Sequence, residues 1–194
     1  VIYTVQSGET DRSDSDDLPV SFNIVDAAGN ESASFTTPDP VNRPGVDAHE
    51  PVISNVIFIP TSGVLKVGDI ATATIQTDNT GFLAGTITIN NKDVSASLSD
   101  QGDNTYQLTY QVTEDDNDIL DSGDLPVSIS LLDVNNNEST TYNTADAANR
   151  PGVDAHTPSI TGVIFNPTSG VLKVGDTATA TIAVSNSETG ILAG

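Results

Sequence analysis

The sequence predicts an all-β fold of small β-sandwich domains arranged in tandem, with no helix. Three observations support this prediction: apolar and polar residues alternate, turn motifs separate the alternating segments, and long stretches of sequence occur twice. Alternation with a period of two places every second side chain on one face of a strand, whereas an amphipathic helix requires a period near 3.6.

Internal repeats define the organisation of the chain. The octapeptide NRPGVDAH begins at residues 42 and 149, and FIPTSGVLKVGDIATATI at residue 58 returns almost unchanged at residue 165. The repeat offset is therefore 107 in both cases, from 149 − 42 and from 165 − 58. A repeat of this length is one small domain rather than a solenoid turn. The offset predicts the C-terminal part of a repeat at 1–46, a complete repeat at 47–153 and the N-terminal part of a further repeat at 154–194.

About seven strands are predicted in the complete repeat, each bounded by turns rich in Gly, Asn and Asp. They are strand A near 52–59, B at 70–77, C at 86–91, D at 94–99, E at 105–113, F at 126–133 and G at 138–145. Seven short strands with one apolar face each indicate an immunoglobulin-like sandwich, and a closed barrel is the alternative. The residues predicted to lie inside are Tyr110, Val112, Val127, Ile129 and Leu131.

The chain is strongly acidic, with 6 Lys and Arg residues against 27 Asp and Glu residues and a formal net charge of −21. Binding to nucleic acid requires a basic face, so nucleic acid is not an expected partner. No apolar run is long enough to insert directly into a membrane. The carboxylates repel one another unless cations intervene, and without Cys no disulfide can stabilise the fold, so calcium is the expected stabiliser.

Two segments carry a resemblance to a known family. GDTATATI around the start of strand B and VDAAGNES between strands F and G, in units of about this length, resemble bacterial immunoglobulin-like repeats. Such repeats form the stalks of large secreted adhesins of the repeats-in-toxin and biofilm-associated kinds. The resemblance covers essentially the whole chain. It implies a structural extender at the bacterial cell surface, stiffened by calcium, whose main partners are neighbouring repeats of the same chain.

Clustered acids in the loops are the candidate calcium ligands. The predicted strand order places the E–F loop beside the exit of strand G, with the B–C and F–G loops of the next repeat across the linker. Calcium takes six to eight oxygens from carboxylates, amides, carbonyls and water. The predicted ligands come from the E–F loops, the linkers and the F–G loops: Asp14, Asp17, Asp26, Asn30, Asp47, Asp121, Asp124, Asp133, Asn137 and Asp154.

NRPGVDAH is predicted to be the joint between consecutive repeats. Pro44 restricts the backbone, Gly45 permits a turn, and Asp47 reaches a calcium ion between two domains. His49 and His156 are expected to form hydrogen bonds or to pack, rather than to bind a transition metal. The expected ligands are Asp14, Asp17 and Asp47 with Asp133 or Asn137 at the first joint, and Asp121, Asp124 and Asp154 at the second.

No catalytic function is predicted, because the chain lacks a Ser-His-Asp order, a Gly-rich phosphate loop and aromatic platforms for sugars. Two alternatives to the extender stay open. One is a calcium-dependent adhesive module that binds a ligand, and the other is a subunit of a surface layer or extracellular filament. In the second, other copies of the chain complete the partial repeats by end-to-end strand exchange. Simple truncation is favoured over exchange, because neither partial repeat supplies the segment that matches 86–107.

Overall fold

The computed structural model describes residues 1–16, 18–36, 44–121, 125–143 and 150–185. Within these ranges the fold is all-β, with eleven strands, one three-residue 3₁₀ turn and no α-helix. No helix of the described chain is therefore long and apolar enough to cross a membrane.

The strands follow the alternation of the sequence. In β7, each apolar residue from Tyr106 to Tyr110 is buried, and the polar residues between them are exposed. The strands are β1 (Ile53–Ile59), β2 (Val64–Lys66), β3 (Ile70–Thr77), β4 (Leu83–Ile89), β5 (Lys92–Asp93), β6 (Ser99–Gly102), β7 (Thr105–Gln111), β8 (Val127–Leu132), β9 (Gly152–Asp154), β10 (Ile160–Asn166) and β11 (Thr179–Val184).

Two antiparallel sheets form the body of the complete repeat. One has the strand order β1-β3-β7-β6 and the other the order β5-β4-β8. Buried residues from both sheets belong to one hydrophobic cluster, as in a β-sandwich. All five residues that were predicted to lie inside are buried: Tyr110, Val112, Val127, Ile129 and Leu131.

The predictions for strands A, B, E and F agree with β1, β3, β7 and β8 to within about two residues, but three others need correction. Strand C runs from Leu83 to Ile89 and ends there because Asn90 and Asn91 have positive φ. The prediction of a strand at 94–99 is wrong, since Ser95–Ser97 is a 3₁₀ turn and the strand follows it as β6. The Asp93 carboxylate accepts the N–H of Ser95, a local bond that competes with a ladder.

Strand G is also shorter than predicted. The segment after β8 forms only isolated bridges, Glu138 with Leu132 and Tyr142 with Ile129. Between them the N–H of Leu131 donates to the side-chain hydroxyl of Ser139, which interrupts a regular ladder. Residues 144 and 145 of the predicted strand lie outside the described residues.

Local contacts of the complete repeat recur in the flanking segments at the repeat offset. Phe22 bridges Phe35 just as Ile129 bridges Tyr142. Strands β10 and β11 pair in the register of β1 and β3, including the irregularity near the start of each pair. The sequence repeat is therefore also a repeat of local structure.

The second copy of NRPGVDAH is part of the packed structure. Its β9 pairs in parallel with β2, placing Val153 opposite Leu65, and both Val153 and Ala155 belong to the hydrophobic core. Gly45 was expected to permit a turn, but its counterpart Gly152 lies in a strand. A Cβ at Gly152 would lie 2.7 Å from the backbone oxygen of Ile119. Glycine is needed here because two backbones approach closely.

Replacing Gly152 by Ala should destabilise the complete repeat by about 1–3 kcal/mol, the usual cost of forcing an atom into a packed site. The control is Gly162→Ala, because a Cβ at Gly162 meets nothing within 4 Å. Urea unfolding of both variants gives the comparison. Equal midpoints for the two variants would contradict the close-approach role.

Tyr110 ties the core to the loop after β7. Its hydroxyl donates to the Asp116 carboxylate at 3.0 Å and accepts the Asn90 side-chain N–H at 3.0 Å. Burial raises the pKa of Tyr110 to about 12. The ring is fully buried, so the neutral phenol is favoured in the folded protein over the phenolate.

Folding stability should therefore fall as the pH rises between about 10 and 12. The pKa of Tyr110 is higher in the folded than in the unfolded protein. Its contribution to the stability is therefore fully present below the unfolded pKa and is lost as the pH rises through the folded pKa. At pH 11 the loss is about 1.4 kcal/mol, one pKa unit of the shift. Urea unfolding at pH 8 and pH 11 measures it. Tyr110→Phe should be less stable at pH 8 but show a smaller fall to pH 11, and an unchanged fall would count against this assignment.

Candidate functional site

Each NRPGVDAH copy is held to the preceding loop by a carboxylate. In the first copy the Asp11 carboxylate accepts the backbone N–H of Ala48 at 2.8 Å and lies 2.8 Å from Nδ1 of His49. The backbones of the two segments also bridge, between Arg12 and Val46. The end of the motif is therefore fixed by both main-chain and side-chain bonds.

The second copy repeats these contacts at the same offset. Asp118 accepts the N–H of Ala155 at 2.8 Å and lies 3.0 Å from Nδ1 of His156, and Ile119 bridges Val153. The bond from the Ala155 N–H, together with the His156 contact, lowers the pKa of Asp118. The same carboxylate raises the pKa of His156. Both histidines thus form hydrogen bonds, as expected from the sequence.

Asp154 extends this pair into a three-residue cluster. The ligand atoms of Asp118, Asp154 and His156 lie within 4.8 Å of one another, and within the described ranges no other group of acids and histidines meets this distance. Two carboxylates supply oxygen for calcium, whereas an imidazole is a ligand that calcium rarely uses. The cluster is open to solvent.

The first joint brings the linker against the complete repeat. The side-chain amide of Asn135 donates to an Asp47 carboxylate oxygen at 2.5 Å, and Asn137 donates to the Asp47 backbone oxygen at 3.2 Å. Asp14 and Asp47 line one open cleft of 720 Å³ together with Asn137. Three residues that were predicted as ligands of this joint therefore line the same cleft.

A second cleft, which shares Asp47 and Glu50 with the first, is strongly acidic. Its volume is 300 Å³, and the acids that line it come from the E–F loop, the linker, the B–C loop and the F–G turn: Asp11, Asp47, Glu50, Asp78 and Asp133. His49 also lines this cleft. The B–C and F–G loops lie beside the linker, as the strand order predicts.

The acid–amide pairs of the F–G loops are occupied in holding their turns. The Asp133 carboxylate accepts the N–H groups of Asn135 and Asn137 and the side-chain amide of Asn137. Burial opposes the charge, but these bonds together lower the pKa of Asp133. Asp26 and Asn30 form the same turn, and the Asn30 side chain is the main cause of the lowered pKa of Asp26. Each pair has a structural role whether or not a cation is bound.

At the second joint the structure groups Asp154 with an acid that was not among the predicted ligands. Asp121 accepts the N–H of Gly63 at 2.8 Å, and the acid grouped with Asp154 is Asp118. Asp17 and Asp124 lie outside the described residues. The sequence holds a signal for the carboxylate–histidine contact, because an Asp stands 38 positions before the motif's histidine in both copies, as Asp11 and Asp118.

Comparisons of the chain with family models, with curated proteins and with solved structures give no match.

Asp118→Asn should lower the stability of the complete repeat by about 1 kcal/mol, after allowance for the exposure of the carboxylate. It weakens the bond to the N–H of the fully buried Ala155. Asp115→Asn is the matched control, since it removes the same charge from the same loop. Urea unfolding compares the two, and a variant pair of equal stability would argue against this role of Asp118.

Proposed function

We propose that the chain is part of an extender, or stalk, built from immunoglobulin-like repeats in tandem within a large bacterial surface adhesin. The observation that carries the proposal is the contact of Asp47 with Asn135 and Asn137. At the repeat offset Asp47 is the counterpart of Asp154, which ends the last strand of the complete repeat, so the contact joins the position that follows one sandwich to the F–G turn of the next. A stiff rod needs such a contact at each joint, because a free linker would let the repeats swing.

The recurrence of local structure supports the tandem part of the proposal. Bridges, strand register and the carboxylate contact of the motif all return at the offset of the sequence repeat. Near-identical repeated units suit a spacer, because each added copy makes the spacer longer. An adhesive tip domain, in contrast, usually occurs once. The order of the two sheets and the parallel β2–β9 pair support the immunoglobulin-like part.

We propose calcium as the cofactor of the joints. At the first joint the proposed ligands are Asp47 with Asp14 in one cleft and Asp47 with Asp133 in the other, and Glu50 and Asp78 add two more carboxylates to the second cleft. At the second joint Asp118 and Asp154 take this role. The residues fit a hard divalent cation, because they offer carboxylate oxygens and the clefts are open to water. When bound, calcium supplies positive charge among acids that repel one another.

Repulsion between the acids gives the cation a mechanical effect. Two unit charges about 4 Å apart interact by roughly 4 kcal/mol at an effective dielectric near 20, so unneutralised carboxylates favour an open joint. Extracellular modules bind calcium with dissociation constants of about 10⁻⁴ to 10⁻³ M, so the ion can be removed by a chelator under ordinary conditions. The proposal places the protein outside the cell and assigns it no catalytic role.

Small-angle scattering of the whole chain tests the calcium joint. With calcium the chain should be more extended and less variable in shape than with excess chelator. Asp47→Asn in calcium should lose part of this extension, because a ligand of the first joint becomes neutral. The matched control is Asp103→Asn, which removes one charge from an exposed turn that lines neither cleft and suits Asn at φ 50°.

Two outcomes would contradict the proposal. One is a scattering curve that is the same in calcium and in chelator. The other is an equal response of the Asp47 and Asp103 variants, which would assign the effect to net charge alone. Circular dichroism of each variant checks that the sandwich itself is unchanged.

A further inference from the structure

The sheet β1-β3-β7-β6 has an outer face without charge. Its three long strands, β1, β3 and β7, contain no Asp, Glu, Lys or Arg residue. Globular domains average about 25% charged residues, which lie mostly on the surface, and this chain has 27 acidic and 6 basic residues. The absence of charge from these three strands therefore distinguishes this face from the acidic loops around it.

The pleat of the strands defines which side chains form this face. In β3, Thr72 and Thr74 point away from the core, because the residues on either side of them are buried. In β7, Gln107 and Thr109 do so for the same reason. Thr74 stands opposite Gln107, and Thr72 stands opposite Thr109. These side chains, with the outward side chains of β1, form the neutral face.

The structure describes every residue of this sheet, and the only charged one, Asp100 of β6, lies off the neutral face. Asp100 stands opposite Tyr106 and so points to the same side of the sheet as this core residue. Its carboxylate accepts the N–H of Gly81 at 3.4 Å. The other sheet differs, because β5 consists of Lys92 and Asp93. The uncharged surface thus belongs to one side of the sandwich.

The uncharged pattern returns at the repeat offset and lies away from the joints. β10 and β11, the counterparts of β1 and β3, also contain no charged residue, and Thr181 of β11 stands at the position of Thr74. No residue of β1, β3 or β7 lines either cleft of the first joint. Repeats joined in tandem therefore leave the neutral face open.

We propose that the neutral face is a side-by-side contact between two copies of this chain. Charge favours a second copy as the occupant, because two chains of net charge −21 repel each other through their acidic loops and approach most easily where no carboxylate meets another. Hydroxyl and amide side chains both donate and accept hydrogen bonds, so the face is also complementary to itself. The contact is isologous and closes with two copies.

Isoleucine side chains at one corner of the neutral face favour its burial. Ile59 is 63% exposed and stands opposite Thr72, and Ile70 of β3 is 51% exposed. Both point outward, since the neighbouring Phe58 and Ala71 are fully buried. Two faces in contact would remove this apolar surface from water.

The size of the neutral face limits the strength of the contact. Strands rise about 3.3 Å per residue and lie about 4.8 Å apart, so three strands of seven or eight residues cover roughly 300–400 Å². A stable interface buries about 800 Å² on each partner. One pair of faces therefore forms a weak, reversible dimer, and tandem repeats would strengthen it by adding faces. Only this last step rests on the proposed stalk.

Disulfide trapping tests the contact, because the chain has no cysteine of its own. Thr74→Cys places one thiol at the centre of the neutral face, and Thr86→Cys is the control, at an exposed position of β4 in the other sheet. With each variant at about 100 µM in about 0.15 M salt and constant calcium, diamide oxidation should link Thr74→Cys chains at least about tenfold faster. The two-fold contact holds the thiols of two copies close together, and the reaction of each thiol with a small disulfide reagent corrects for differences in reactivity.

Charged substitutions opposite Thr74 separate burial of the face from net charge. In the Thr74→Cys chain, Gln107→Glu and Gln107→Lys change the net charge by one in opposite directions. Both should lower the rate toward that of the control, because each would bury a charge in the contact.

Equal rates for the two cysteine variants would overturn the proposal. So would a rate that falls with Gln107→Glu but rises with Gln107→Lys, which would assign association to net charge alone. Circular dichroism should match the wild type for every variant, since none of the three positions is buried.

Discussion

The close approach of NRPGVDAH to the loop before β8 is the constraint on which the rest of the complete repeat depends. Main-chain bonds run both ways between Ile119 and Val153, each 2.8 Å long, and they require a glycine beside them. With the backbone of the motif bonded to this loop, Val153 and Ala155 lie in the core and β9 pairs with β2. The motif is therefore the last strand of the sandwich as well as its exit.

The position of the motif also determines where carboxylates lie close together. Asp118 and Asp154 come together because the backbone contact brings the loop and the strand side by side. At the other joint Asp47 is carried to the F–G turn, where amide groups rather than carboxylates meet it directly. At this joint, direct hydrogen bonds to Asp47 are therefore surrounded by further acidic side chains. The amides hold Asp47 in place, and the acids put a concentration of negative charge beside it.

Much of the fold could be predicted from the sequence, because a period of two over five or more residues leaves little choice of structure. Alternation predicts Tyr110 and Ile129 inside, and both are fully buried. The errors occur where side chains compete for backbone bonds, as at Asp93 and Ser139, since alternation carries no information about such bonds. The candidate site was harder to predict. Whether Asp118 or Asp121 lies beside Asp154 depends on which side chain faces the motif once its backbone is bonded to the loop, and spacing within a loop does not give this.

The parallel pairing of β2 with β9 has a mechanical consequence. Force applied to the chain on both sides of the complete repeat would pull β1 and β9 in opposite directions. Because β2 directly follows β1 and lies alongside β9, the bonds between β2 and β9 would be loaded together, in shear, rather than opened one after another. A segment that resembles a linker in the sequence is thus the element that would resist stretching.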